Sequence, residues 1–162
     1  MSKQSIADVF RFAREARQLA GELPLAALGR LADQLARDDG ALSWSLAGSL
    51  DVDDQVRLRL KIDGRMILRC LRCLGELEWP LAIDVVLSPV KVGEPPLLDD
   101  DDEVDEIEVG DGGELDVLAL VEDEIILTLP FAPRHEEDCI SLRPADGVEK
   151  ESPFAALAAR RR

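Results

Sequence analysis

The sequence predicts an α+β fold, and three observations carry the prediction. Between Ala41 and Val90 apolar residues recur at every second position, the period of half-buried strands. From Leu115 to Leu129 they recur at helical spacing, and Pro130 and Pro133 close the run. The first 40 residues also carry a helical pattern, interrupted at Gly21 and Leu23-Pro24. The expected architecture is N-terminal helices, an antiparallel meander of about four to five strands, one longer helix over 115–129 packed on the sheet, and an extended C-terminal tail. The chain divides accordingly into a helical segment 1–40, a sheet-plus-helix core 41–133 with an acidic loop at 94–112, and a tail 134–162. A length of 162 residues suits one domain. With no Tyr, its core must come from Leu, Val, Ile and Ala.

Asp8 can cap a first helix running through Phe10, Ala13, Ala16 and Ala20, with Arg11, Arg14 and Arg17 on its polar side. Pro24 is tolerated at a first helical position and would open a second helix carrying Leu25, Leu28, Leu31, Ala32 and Leu35. Trp44, Leu46, Gly48, Leu50 and Val52 set a first strand, and Val56, Leu58, Leu60 and Ile62 a second. Asp63-Gly64 then reads as a two-residue hairpin turn, which needs positive φ, leading to a third strand at Met66-Ile67-Leu68. Leu77, Trp79, Leu81, Ile83, Val85 and Leu87 make the fourth, and Pro80 and Pro89 place it at an edge or bend it. A fifth strand fits near Glu106 to Val109. In the last helix Asp116 is the expected cap, and Leu115, Leu118, Ala119, Ile125, Ile126 and Leu129 form the apolar stripe. Glu122, Asp123 and Glu124 read as a solvated face, since consecutive helix positions point about 100° apart and cannot converge on one ligand.

The formal net charge is −15, and it is partitioned. Residues 1–39 carry six basic and six acidic side chains, and residues 40–91 seven of each; residues 92–162 carry six basic and 21 acidic. Such a balance argues against broad coating of nucleic acid and against attraction to anionic membranes. The densest block, Asp99, Asp100, Asp101, Asp102 and Glu103, is either a solvated loop or an acidic docking surface for a basic partner. Arg57, Arg59 and Lys61, with Arg65, Arg69 and Arg72, form a basic stripe. It is either an ordinary solvated sheet face or a small phosphate-contacting one, without aromatics to stack bases. No apolar run approaches the ~18–20 residues of a membrane span, and no basic-then-apolar leader is visible, so a cytoplasmic location is expected.

Cys70-Leu71-Arg72-Cys73 is a CxxC at a strand end. Two thiolates at that spacing can grip one soft ion, and zinc wants four ligands. His135 and Cys139 would complete a Cys3His site that uses every Cys and the one His. The alternatives are that Cys70 packs as a small hydrophobe, or that the pair is a redox dithiol. The redox reading lacks the helix start that lowers thiol pKa in the thioredoxin arrangement. One histidine and no Gly-rich phosphate loop leave little equipment for catalysis, so neither an enzyme activity nor a small-molecule substrate is expected.

Four stretches together resemble the YceD family, the large ribosomal RNA subunit accumulation proteins. They are Leu68 to Gly75, Gly113 to Pro130 with its VEDEIILTLP block, His135 with Cys139, and Pro153 to Leu157 before a basic end. The resemblance runs over residues 8–162. It implies a small bacterial cytoplasmic protein supporting synthesis, processing or stability of 23S ribosomal RNA, with no enzymatic activity. The CxxC and HxxxC stretches match the family's pattern by position. Leu74 departs from it, standing between Cys73 and Gly75 where the pattern has Gly directly after the second Cys. The partner implied is ribosomal RNA or a basic ribosomal or assembly protein. A zinc- or thiol-based sensor or redox module built on Cys70 and Cys73 is the alternative function.

Overall fold

In the computed structural model, which describes residues 4–93, 104–136 and Cys139, the chain opens with strand β1 (Ser5–Ile6) and helix α1 (Val9–Arg14). Strand β2 (Gln18–Pro24), two 3-10 turns (Leu25–Ala27 and Gly29–Leu31) and β3 (Leu35–Arg37) follow. Three long strands make the frame: β4 (Ala41–Leu50), β5 (Val56–Arg69) and β6 (Glu76–Lys91). β7 (Asp105–Val109), β8 (Leu115–Asp116) and α2 (Val117–Thr128) complete the elements of the described residues. The main sheet has the order β2-β4-β5-β6-β7, and β3 pairs β5 beyond the end of β4. The β6–β7 pairing is parallel and its neighbours are antiparallel. β1 and β8 form a small separate ladder. The protein is thus α+β, with one dominant sheet and few helices.

Alternation builds the core. Leu42, Trp44 and Leu46 of β4, Leu58, Leu60, Ile62, Met66 and Leu68 of β5, and Leu81, Ile83 and Leu87 of β6 are all buried. Helix α1 adds Val9, Phe12 and Ala13, and α2 adds Val117, Leu120, Val121 and Ile125. Each such side chain contributes about 1.5–3 kcal/mol by leaving water. Helix propensities differ by only ~0.7 kcal/mol between ordinary residues. Burial therefore decides the N-terminal segment, and it departs from the expected pair of helices.

Asp8 does cap α1, its carboxylate accepting from Arg11 N at 3.0 Å, but the helix ends at Arg14. The chain turns at Ala16 (φ +47°), and residues 18–24 become a strand along β4. Gly21 does not stop a helix there. It lies opposite Trp44, where a Cβ would sit 3.1 Å from Trp44 Cζ2. The expected second helix is replaced by the 3-10 turns and β3. Leu25, Leu28 and Leu31 recur every third residue, the 3-10 period, and all three are buried.

The expected hairpin at Asp63-Gly64 is also corrected: β5 runs straight through it, so the frame has three long strands where four were expected. Parity explains why. A turn there would pair Ile62 with Arg65 and put Met66 and Leu68 on the opposite face from Ile62. The continuous strand keeps Ile62, Met66 and Leu68 in one core, and Gly64 lets Leu42 approach, a Cβ there lying 2.6 Å from Leu42 Cδ2. Both β6 prolines sit where that strand has one neighbour. Pro80 faces β5 alone, and Pro89 faces β7 after the β5 ladder has ended at Leu87. The fifth strand, β7, is present and parallel. Asp99 to Glu103 and most of the tail 134–162 lie outside the described residues.

Helix α1 crosses β4 at Gly48, where an added Cβ would fall 2.6 Å from Ala13 Cα, a backbone atom that cannot rotate away. Gly48→Ala is expected to cost about 1–3 kcal/mol by overpacking, read as a lower urea midpoint at unchanged slope.

Candidate metal centre

The β5–β6 ladder ends at Arg69↔Glu76, and the turn that closes it is Cys70 to Gly75. Cys70 N donates to Gly75 O at 2.9 Å and Leu74 N donates to Cys70 O at 2.8 Å, which folds the turn back on itself. Gly75 N lies 3.4 Å from Cys73 Sγ, an N–H directed at that sulfur. Leu74 sits at φ +62°, the left-handed conformation glycine adopts without strain.

The other two donors come from the segment after α2. Asp116 caps that helix, its carboxylate accepting from Leu118 N and Ala119 N at 3.2 Å, and Pro130 ends it. Leu71 N then donates to Pro133 O at 2.9 Å, tying the departing chain to the CxxC turn. His135 Nε2 contacts the Glu76 carbonyl at 2.9 Å. A carbonyl only accepts, so Nε2 carries the proton and Nδ1 is left as a lone-pair donor. Nδ1 lies 3.6 Å from Cys73 Sγ, and Cys70 Sγ lies 3.8 Å from Cys139 Sγ.

These distances can be set against a tetrahedron. Zinc–sulfur bonds of about 2.3 Å and zinc–nitrogen bonds of about 2.0–2.1 Å give S···S edges near ~3.8 Å and S···N edges near ~3.6 Å. Both observed edges agree, and all four donor atoms lie within 4.8 Å of one another. Cys70, Cys73, His135 and Cys139 are therefore brought together as a group that could hold a metal ion.

The surroundings favour thiolate. Burial works to raise the Cys70 thiol, but backbone donors from Cys73, His135 and Arg72 outweigh it and bring it to about 5. Burial likewise opposes Cys139, which His135 and Arg72 nevertheless lower. Arg72 Nε lies 2.8 Å from Cys139 Sγ, and its guanidinium also donates to His135 O at 3.2 Å. Cys73 moves the other way. The Gly75 N–H favours its thiolate, but burial and the two neighbouring sulfurs prevail and raise it. His135 is raised by Cys139 first and the Glu76 carbonyl second. Negative charge and protons are thus shared over one cluster, and a divalent cation would take the protons' place.

Arg57, Arg59, Lys61, Arg65 and Arg69 of the basic stripe all lie on the single strand β5 and not on two hairpin strands, Arg72 stands in the turn that follows, and most of these cations meet acids. Arg57 pairs with Asp51 at 2.9 Å and donates to Ser88 Oγ at 2.9 Å. Arg59 makes a two-pronged contact with Asp84 at 2.7 and 2.8 Å, Lys61 reaches Asp84 at 3.2 Å, and Arg65 reaches Glu78 at 2.7 Å. Arg59, helped by Lys61, holds the Asp84 carboxyl at about 2. Arg69 ends the ladder opposite Glu76, and Arg72 belongs to the sulfur cluster. Asp84 serves both Arg59 and Lys61, and Arg69 has no ion-pair partner among the described residues, so most but not all of the stripe's charge is spent.

Sequence reasoning missed Arg72 as a thiolate partner, although its place inside the CxxC was the available signal. It also put Glu124 on a solvated face. The buried residues of α2 are Val117, Leu120, Val121, Glu124 and Ile125, a regular helical stripe with Glu124 in it.

Fold and site together define a class: a small α+β domain in which one hairpin turn and the segment after the last helix present a Cys3His donor set. The profile of the family described as "Large ribosomal RNA subunit accumulation protein YceD" matches residues 58–159, which include all four donors. A Haemophilus influenzae protein of that description is 30% identical over 141 residues, covering 81% of this chain and 80% of the relative. The chain belongs to the YceD family. No solved structure matches it. Among the described residues no helix is long and apolar enough to cross a membrane.

Leu74 offers a local test. A left-handed L-residue costs about 1–2 kcal/mol, and added glycine flexibility costs about 0.5–1 kcal/mol. Leu74 is 63% exposed and loses little burial. Leu74→Gly is therefore expected to raise the thermal midpoint modestly, by up to ~1 kcal/mol in stability, with the metal stoichiometry unchanged.

Proposed function

We propose that this protein supports accumulation of large-subunit ribosomal RNA as a non-enzymatic binding factor whose Cys3His centre holds zinc. The observation that carries the biological reading is the family match across residues 58–159, spanning most of the frame, α2 and the centre. The chemistry of the centre agrees with a structural role. Both ring nitrogens of His135 are engaged, Nε2 on Glu76 O and Nδ1 toward sulfur, which commits the chain's one imidazole to the cluster. Zinc held by Cys70, Cys73, His135 and Cys139 would fasten the segment after α2 to the β5–β6 turn and supply folding energy directly. A low Cys70 thiol is common to metal ligands and redox thiols. Four donors within 4.8 Å of one another, with two of their separations at tetrahedral length, are what favours metal over a two-thiol redox pair.

The partner that suits this chain is a basic ribosomal or assembly protein. Most of its cationic stripe meets acids, while its acid excess lies in residues 92–162. The expected site of action is the cytoplasm.

Depletion of the protein in its host is expected to lower 23S relative to 16S ribosomal RNA, with recovery on re-expression. An unchanged ratio in the depleted strain would remove the biological reading.

For the centre, purified protein is expected to carry about one zinc per chain. Cys70→Ser with Cys73→Ser should abolish it and lower the thermal midpoint, as should a chelator. Less than about 0.2 equivalents of zinc, with an unchanged midpoint in the double variant, would rule the metal out.

A further inference from the structure

Glu124 is the described acid that the fold does not account for. It occupies a core-facing position of α2, is only 8% exposed, and its carboxylate makes no hydrogen bond or ion pair among the described residues. Burial raises its pKa, and the nearby charges of Asp105 and Asp123 raise it further. A buried carboxylate facing other carboxylates is costly unless it takes up a proton or meets a cation.

Glu124 lines a groove of about 970 Å³ between β7 and α2. The groove wall is apolar at Ile107, Ile126 and Leu127, and Leu127 is 78% exposed. Its rim is acidic at Asp105, Glu108 and Glu114, with Glu106 already engaged elsewhere, and its one lining cation, Arg30, is spent on Glu122 and Asp123. Among the described residues β7 is the last strand in the sheet order, so this is the edge of the sheet they form. Exposed acids on an edge strand are an ordinary guard against unwanted pairing. A buried acid behind that edge cannot serve as such a guard. The same helix turn already holds one guanidinium: Arg30 donates its backbone N–H to Glu122 at 2.8 Å, and its side chain pairs with Glu122 and Asp123.

We propose that the β7–α2 groove binds an extended basic segment of a partner protein, alternating Lys or Arg with apolar residues, with one cation seated on Glu124. Cations answer the acidic rim, and alternate apolar side chains answer the wall. A segment laid along β7 presents them with the period of a strand. This rests on the reading that the partner is a basic protein, and it names the surface that would hold it.

The test uses the full chain and a labelled synthetic peptide of about seven residues alternating Lys or Arg with Leu. Wild type should bind it at low ionic strength. Glu124→Gln should weaken binding at least tenfold while keeping the wild-type midpoint or raising it, since a neutral amide removes the buried charge. Leu127→Lys, at an exposed groove position, should weaken it likewise without touching the core. Glu78→Gln, on the far part of β6, makes the same charge change and should alter affinity less than twofold. Equal affinity in wild type and Glu124→Gln overturns the proposal, and so does equal loss in Glu78→Gln. Binding seen only after removal of Arg160 to Arg162 would assign the groove to the chain's own end, and also overturns it. Failure here is separable from failure of the ribosomal reading. A depleted strain rescued by Glu124→Gln refutes the groove alone, and peptide binding without any ribosomal RNA defect refutes the ribosomal reading alone.

Discussion

The β5–β6 ladder is the constraint from which the rest of the molecule follows. It runs unbroken from Leu58↔Leu87 to Arg69↔Glu76, and its alternate residues, Leu58, Leu60, Ile62, Met66 and Leu68 with Leu81, Ile83 and Leu87, enter the same core. At one end it leaves β6 long enough to collect β7 in parallel; at the other it closes in the turn that carries Cys70 and Cys73. A one-residue slip would turn its core residues out to solvent. It would also carry the Glu76 carbonyl, which orients His135, out of place against the cysteines. The register of one hairpin therefore sets both the core and the geometry of the candidate centre.

Charge is arranged around that frame in two ways. On the sheet, acids and bases alternate across strands and match locally, as Arg59 and Lys61 do with Asp84. Exposed pairs of this kind add little stability, with a median near 0–1 kcal/mol, but they leave the face with little spare charge beyond Arg69. In the second half of the chain the acids outnumber their cations, and Glu124 is withdrawn from water without one. Proteins tolerate a buried polar group of that kind at functional positions more readily than elsewhere. The contrast is what favours the β7–α2 edge over the stripe as the proposed interaction surface.

The strand periods, the α2 cap at Asp116 and the four donors at Cys70, Cys73, His135 and Cys139 were legible in the sequence, because each rests on local spacing or on residue chemistry. What misled was local signal competing with tertiary burial. Asp63-Gly64 is a good turn pair in isolation, yet the parity of Ile62, Met66 and Leu68 already spoke against it. Residues 18–24 have helix-compatible composition, but ten residues of β4 offered them a ladder. Leu25, Leu28 and Leu31 fit both a helix and a 3-10 turn, and the short rise suited the connection to β3. On α2 the apolar residues were too many to single out one stripe, and so Glu124 could not be placed. That failure was informative, since a charged residue in a buried stripe breaks the local rule where function is the usual reason.

Helix α2 forms one wall of the groove and leads directly into the segment that carries His135 and Cys139 of the centre, so the helix connects the two mechanically. Its N-terminus is fixed by the Asp116 cap and by Val117 N donating to Gln4 O at 3.0 Å. Its C-terminal side is fixed by whatever restrains the chain from Pro130 onward. Among the described residues, that restraint is the Leu71–Pro133 bond, the His135 contacts and Cys139. An ion on the four donors would turn this set of weak contacts into a firm anchor, worth far more than a hydrogen bond of about 1 kcal/mol. The wall of the groove formed by Ile126 and Leu127 sits in the last turn of the helix, next to that anchor. A rigid α2 holds the groove open at low entropic cost to an incoming segment. A metal held on these four donors would thus shape the proposed binding surface without touching it.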